Sequence, residues 1–221
     1  MKIEIEARMM RAALICAAKS DIRYYLNGIA IEVHGERVLV LATDGHRLFV
    51  GRNHAKPRGN IEEGAQTYIV PRDLVERALR SLPRNGIGFG LDFTFPVTSP
   101  GEVSIKAIDA GFTGNLIDGR FPEWRRAIVK RTSKESGQFK PKYVADCQRV
   151  ADCFRSNSNG ESCVDIAHNG PDSAALVTFS TTADAFVVLT PMRSFEARSV
   201  KDWLRQETGV QWDMPDPEVQ S

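Results

Sequence analysis

Asp44-Gly45-His46-Arg47 sets a carboxylate, an imidazole and a guanidinium around one glycine. An imidazole beside a carboxylate is equipment for general acid–base catalysis, but that chemistry also needs a nucleophile or a cradled substrate within reach. No nucleophile is placed by the spacing, and no Gly-rich phosphate loop occurs in the chain. His34, His54 and His168 stand isolated, the first two in turn or loop segments. Cys16, Cys147, Cys153 and Cys163 form no C-x-x-C pair and lie at no zinc-finger spacing from a histidine. The reading is therefore no enzyme, no metal and no cofactor. What remains is recognition. Leu48 adds an apolar neighbour to the turn, and upstream Arg23-Tyr24-Tyr25-Leu26-Asn27-Gly28 sets an aromatic pair beside a cation.

The elements that must position these residues follow from the patterning. Residues 29 to 42 alternate and break once at His34-Gly35-Glu36-Arg37, which predicts two strands and a hairpin. The Asp44-Gly45 pair predicts a turn of the I′ type. Met1 to Glu6 alternates like a strand, not a signal peptide, and Ala7 to Lys19 reads as a helix with Met10, Leu14 and Ala17 on one stripe. Strands are expected at Tyr24–Val33, Val38–Thr43 and Arg47–Gly51. This β-α-β-β-β order recurs. In the second copy a strand at Gln66–Val70 is followed by Pro71 in the first helical turn, a helix from Asp73 to Leu82, and strands at 87–93, 102–108 and 112–117. The third copy has a short strand at Gln138–Lys140, Pro141 opening a helix from Lys142 to Arg155 with Val144, Cys147, Val150, Ala151 and Phe154 on its stripe, and strands at 163–167, 174–179 and 185–190. Helices starting near residues 7, 72 and 141 mark a repeat, so each unit is expected to bury its apolar face against a neighbour.

Bulk properties limit the partners. The chain has 221 residues, 42% apolar and 26% charged, with a net charge of +1, which excludes a general polycation. Nucleic-acid contact would have to come from cations gathered on one face. Each predicted helix carries some away from its stripe: Arg8, Arg11 and Lys19; Arg72, Arg77, Arg80 and Arg84; Lys142, Arg149 and Arg155. Acids such as Glu32, Glu36, Glu62 and Glu63 fall on strands and loops. Helices side by side would make one basic face able to touch a phosphate backbone without reading bases. Ordinary solvated helix faces are the alternative, because Glu76, Asp146 and Asp152 dilute the cations. The cysteine usage fits a reducing, cytoplasmic setting, and no apolar run reaches membrane-spanning length.

Four motifs carry a resemblance. Residues 24–28 (YYLNG), 42–48 (ATDGHRL), 116–126 (LIDGRFPEWRR) and 187–193 (VVLTPMR) occur in the order found in the bacterial DNA polymerase III beta subunit, the beta sliding clamp, which the chain resembles over residues 1 to about 193. The resemblance implies an α+β fold of DNA-clamp (processivity-fold) architecture, three β-α-β-β-β units with helices on one face and antiparallel sheets on the other. A family chain carries six such units in three domains. Here residues 1–129 resemble the whole middle domain, as units 1–52 and 66–129. Residues 130–137 are a linker, 138–193 resemble the second half of the last domain, and 194–221 form an extra tail, expected as a short helix followed by a disordered stretch.

The resemblance also assigns roles. The family has no catalytic chemistry; it encircles duplex DNA and tethers polymerase or repair proteins by short peptides. It implies DNA contact by Arg23, Tyr24 and Tyr25 and by the helix cations Arg8, Arg11, Lys19, Arg72, Arg77, Arg80, Lys142 and Arg149. Strand-edge packing is the alternative for the tyrosines, one of which alternation would bury. It places a partner-peptide groove at Leu26, Thr43, Gly45, His46, Arg47, Leu48, Pro122, Arg126, Ala127, Val188, Leu189, Thr190, Pro191, Met192 and Arg193. Thr190 replaces the family's usual Met and Ala127 a larger apolar residue, which predicts weaker binding of standard peptides. In the tail, Gln211-Trp212-Asp213-Met214-Pro215 resembles a clamp-binding pentapeptide, with a plain acidic tail as the alternative. Two functions stand at this point: a homo-oligomeric clamp, as a four-chain ring of twelve units or a dimer, and a peptide-binding module that competes with a true clamp for its partners. A folded remnant that binds nothing is a third reading.

Overall fold

The computed structural model describes residues 1–59, 64–83, 88–96, 100–128, 133, 135–155 and 161–192. The strands are β1 (Lys2–Glu6), β2 (Gly28–His34), β3 (Arg37–Thr43), β4 (Arg47–Asn53), β5 (Ala65–Pro71), β6 (Gly90–Thr94), β7 (Glu102–Ala107), β8 (Ala110–Asn115), β9 (Val164–Ala167), β10 (Ala175–Phe179) and β11 (Thr182–Leu189). The helices are α1 (Ala7–Cys16), α2 (Arg72–Arg80) and α3 (Pro141–Cys153), and 3₁₀ turns occur at Tyr24–Leu26 and Trp124–Ala127. The α+β class and the antiparallel sheets agree with the clamp architecture expected from the sequence.

The strands assemble by exchange. β1 leaves its own unit and pairs antiparallel with β6, while β5 pairs antiparallel with β2. Two sheets result, in the orders β1-β6-β7-β8 and β5-β2-β3-β4-β11-β10-β9. The second is continuous because β11 pairs with β4, joining elements more than 130 residues apart. α1 and α3 cover its inner side, while α2 packs across β7 and β8 of the first sheet and onto β5. α1 packs against β3, β4, α2 and α3, so Ala7, Met9, Met10, Ala12, Ala13 and Cys16 are all buried. The outer side is covered too: Ala30, Leu41, Leu48, Val50 and Ile69 pack with Phe121 and Val188 under the segment 116–128. This double coverage is why β2 reads as an almost unbroken apolar run.

Several expected elements differ, each for a local reason. Residues 24–26 form a turn, not the start of a strand, because Asn27 bridges Asp21 with both ends of its amide, at 2.8 and 2.9 Å, and folds the chain back. Ala107 pairs with Ala110, so Ile108 lies in the β7–β8 turn at a φ of 29°. α1 ends at Cys16, where the guanidinium of Arg72 takes up the carbonyls of Leu14 and Ala17 at 2.8 and 3.0 Å. Lys19 and Ala17 therefore lie beyond the helix. Pro71 caps α2 and closes β5, whereas Pro141 occupies the first turn of α3. Val144 is exposed, and Asp146 is buried in its place on the packed face. Gln138–Lys140 forms no strand. Arg84, Glu62, Glu63, Arg193 and the tail lie outside the described residues.

At Gly28 the exchanged strand β5 passes close against β2. A Cβ there would meet the Val70 carbonyl oxygen and the Ile69 side chain, both at 2.7 Å, and Ile117 at 2.9 Å. The Gly28→Ala variant is expected to lose about 1–3 kcal/mol in urea denaturation, because the obstructing atom is backbone and cannot swing away.

Candidate functional site

Leu26, the β3–β4 turn, the segment 122–127 and the end of β11 converge on an open cavity of about 220 Å³. Side chains build the turn from within. Asp44 Oδ1 accepts the backbone N–H groups of His46 and Arg47, each at 3.0 Å. Thr43 Oγ1 accepts the Gly45 N–H at 3.0 Å and donates to the Arg47 carbonyl at 2.7 Å. Positive φ occurs at Gly45 (+86°) but not at Asp44, so the turn is not the expected I′ type. The Asp44 carboxylate supplies the closure that a I′ turn would draw from two left-handed residues. A Cβ on Gly45 would stand 2.8 Å from the Arg23 guanidinium. That guanidinium is held by Asp21 at 2.9 and 3.0 Å, and its side-chain and backbone bonds bring the Asp21 carboxyl down to about 2.

Arg47 is the hub behind the cavity. It is 7% exposed, yet it bonds Asp44 at 3.2 Å, makes a short ion pair with Asp146 of α3, and lies 4.9 Å over the Tyr143 ring. Asp146 also accepts from Arg149 at 2.7 Å. Burial opposes ionisation of Asp146, but the hydrogen bonds from Arg47 and Arg149 outweigh it and hold the carboxyl below its usual range. Beside it the His46 ring stacks on Tyr143, with centroids 5.7 Å apart, and the His46 carbonyl accepts the Thr190 N–H at 2.8 Å. The histidine serves as a fastener between the turn, α3 and the exit of β11. Burial raises the nearby thiols, Cys16 upward and Cys147 to about 11, so both are protonated at neutral pH.

The opposite wall hangs from Glu32. This carboxylate lies on the outer face of β2, 8% exposed, and accepts Trp124 Nε1 and Arg125 Nη1, each at 3.1 Å, with a further close contact to Arg125 Nη2. Burial again opposes the charge, while the bonds from Arg125 and Trp124 lower the carboxyl's pKa. Arg125 also covers the Trp124 ring at 4.4 Å. Sequence reasoning counted Glu32 only among the strand and loop acids, and it quoted Trp124 within the 116–126 motif without giving it a role in the groove. The available signal was one acid inside an apolar strand, which has to find a donor if its face is covered.

Of the residues expected in the groove, Leu26, Thr43, Gly45, Arg47, Leu48, Pro122, Ala127, Val188 and Thr190 line the cavity. His46, Leu189, Pro191 and Met192 do not, and Arg193 lies outside the described residues. Glu123 and Trp124 are additions, and Arg23 and Tyr25, expected toward DNA, line it as well. Arg126 instead borders a wider opening of about 570 Å³ with Tyr24, Tyr25, Arg120, Phe121, Pro122 and Glu123. Tyr24 is 57% exposed and meets Tyr25 edge-on at 5.8 Å. Among the helix cations, Arg72 is turned inward onto α1, and Arg8, Arg77, Arg80 and Arg149 each pair with a carboxylate. Arg11 reaches the Pro83 carbonyl at 3.2 Å, and Lys19 and Lys142 are exposed.

Residues 3–123 match the family model of the DNA polymerase III beta subunit, central domain. The chain belongs to this family. Over 129 residues it is 38% identical to the beta sliding clamp of Escherichia coli K12, which spans 58% of the chain and 32% of that protein. Against the beta sliding clamp of Pseudomonas aeruginosa it is 29% identical over 147 residues, 66% of the chain and 36% of the relative. The chain thus spans about a third of the length of the curated relatives it matches. The beta-subunit fold extends further than the sequence match: the DNA polymerase III subunit beta of Pseudomonas aeruginosa superposes with a TM-score of 0.69 at 20% identity, covering 88% of this chain and 67% of that one. The sliding clamp of Bacillus subtilis gives 0.67 at 16% identity, covering 88% and 65%. Among the described residues no helix is long and apolar enough to cross a membrane.

Proposed function

We propose that the chain is a non-enzymatic, clamp-type processivity factor that touches duplex DNA without sequence preference and tethers polymerase or repair proteins by short peptides. In this reading residues 1–129 are a complete clamp domain and 138–193 half of another, and the protein works in the cytoplasm. The observation that carries it is the meeting of Leu26, the Thr43–Leu48 turn, Pro122, Ala127, Val188 and Thr190 on one cavity from four separate segments of a family member. Leu26, Leu48 and Val188 suit an apolar anchor such as Leu or Phe, and the half-exposed Arg23 suits an acid beside it. The short Ala127 and polar Thr190 leave part of that wall unfilled. The exposed Tyr24, with Arg23, Lys19 and Lys142, suits backbone and base-stacking contacts with DNA.

A second reading is favoured by a specific observation. Arg8, Arg77, Arg80 and Arg149 are paired with carboxylates within the chain and Arg72 faces inward, which weakens a basic inner face. A peptide-binding module that competes for clamp partners needs the cavity but not that face. Retention on a nicked circular DNA separates the two. A clamp is expected to stay on the circle and leave when the circle is cut. Binding of a fluorescent Leu/Phe-anchored peptide with no retention on the circle, with the appropriate loader present, would select the module.

A further inference from the structure

The cavity and the wider opening beside it are continuous, since Tyr25, Pro122 and Glu123 line both. The cavity has an apolar floor at Leu26, Leu48 and Val188 but short side chains at Ala127 and Thr190, which leaves room for an anchor bulkier than Leu. The wider opening carries two exposed guanidinium groups, those of Arg120 and Arg126, which have no carboxylate partner among the described residues. Their neighbour Arg125 is by contrast held by Glu32. Glu123 is the one acid that lines the opening among the described residues, so its rim is net positive. An apolar slot thus leads onto a cationic shelf.

The chain itself contains a segment of the complementary chemistry. Residues 206–221, outside the described ones, hold Glu207, Asp213, Asp216 and Glu218 and no Lys, Arg or His, with Trp212 and Met214 as their largest apolar side chains. The chain also departs from the right place. Thr190 lines the cavity, and Met192 lies two residues further on. A random coil from there to Trp212 spans about 25 Å, enough to turn back onto a cavity it has just left.

We propose that this tail docks on its own chain, with Trp212 and Met214 in the cavity and Asp216 and Glu218 over Arg120 and Arg126, and so competes with partner peptides. The proposal rests on the groove reading above and adds a regulator to it. The indole supplies the bulk that Ala127 and Thr190 leave room for, and the acids supply the counterions that the two arginines lack. A tail tethered beside its site meets it at an effective concentration on the order of 1 mM. With an intrinsic Kd of about 0.1 mM it keeps roughly nine sites in ten closed and raises a partner's apparent Kd about tenfold. Weak partners are then screened out while strong ones displace the tail. The charged part of the contact weakens as salt rises.

Anisotropy of a fluorescent Leu/Phe-anchored peptide on the full chain provides the test. Trp212→Ser with Met214→Ser is expected to bind this probe at least fivefold more tightly than the parent, by the same factor at every protein concentration. Asp216→Lys with Glu218→Lys is expected to give part of that gain, and the parent should approach the variants as salt rises. A synthetic peptide of residues 206–221 is expected to displace the probe from the chain carrying Trp212→Ser and Met214→Ser. Equal probe affinity in parent and variant, a gain that changes with protein concentration, or a 206–221 peptide that displaces nothing would each overturn the proposal and leave the groove reading standing. A variant that binds no probe at all would overturn the groove reading, and this proposal with it.

Discussion

Replacing Asp146 by alanine is expected to destabilise the protein by about 3–5 kcal/mol and to loosen α3 from the β3–β4 turn. The effect is large because both partners are sequestered: Arg47 and Asp146 side chains are 8% and 7% exposed. Removing Asp146 takes the closer of two carboxylates from a buried guanidinium, and losing one partner is the costly way to break such a pair. Arg47 keeps Asp44, so the turn itself should survive while the third unit loses its main polar tie. Urea denaturation gives the magnitude, and amide exchange should show protection lost first in α3. A loss below about 1 kcal/mol would mean that water replaces the carboxylate at no cost. Acid provides an independent reading. The folded carboxyl titrates below its unfolded value of about 3.9, so the unfolded chain binds more protons between the two pKa values. The stabilisation from Asp146 is complete above the unfolded value and is lost as pH falls through the folded one. In Asp146→Asn that part of the acid slope should vanish, with Asp21 and Glu32 still contributing.

The Glu32→Ala variant is expected to cost at least tenfold in affinity for a Leu/Phe-anchored peptide, and about 1–3 kcal/mol in stability. Glu32 does not itself line the cavity. It holds Trp124 and Arg125, and through them the wall that carries Pro122, Glu123 and Ala127. Without it the indole N–H loses its acceptor and the 3₁₀ turn loses its anchor to β2. Glu32→Gln keeps one acceptor for the indole but not the charge facing Arg125, so it should fall between parent and alanine variant. Fluorescence anisotropy with labelled peptide, beside a melting curve for each variant, makes the comparison. Unchanged affinity in Glu32→Ala would show that the wall is set by Phe121 and Ile128 packing instead.

Periodicity carried the sequence reading a long way, for physical reasons. Alternation in residues 102–107 reflects burial on one face, while the near-continuous apolar run of β2 reflects burial on both, and the structure has strands at each. Pro71 and Pro141 marked helix starts because proline lacks the N–H that a first turn leaves unused. What escaped was settled by side chains distant in sequence. Nothing near Asp146 tells that Arg47, 99 residues earlier, will draw it inward and leave Val144 in solvent. Glu32 meets Trp124 and Arg125 across more than 90 residues. The turn at Tyr24–Leu26 depends on Asn27 folding back onto Asp21, which strand-like residue types conceal. Gln138–Lys140 has the composition of a strand, but the segment forms none, and its Gln138 carbonyl accepts the Met192 N–H outside any ladder. The groove motifs located the cavity, whereas its far wall became legible only in three dimensions.

Leu48 and Val188 both line the cavity, and they are also direct cross-strand partners in the β4–β11 ladder. The floor of the pocket is therefore the seam of the long sheet, with one residue from each side of the join. A ligand resting on both acts as a bracket across that seam. By linkage, whatever binds there must hold the third unit closed by RT ln(1 + [L]/Kd), and whatever pries the third unit away must expel the ligand. Occupancy and closure are then two readings of one equilibrium, so the strength of a tether depends on how firmly the sheet is zipped as much as on the peptide's own fit.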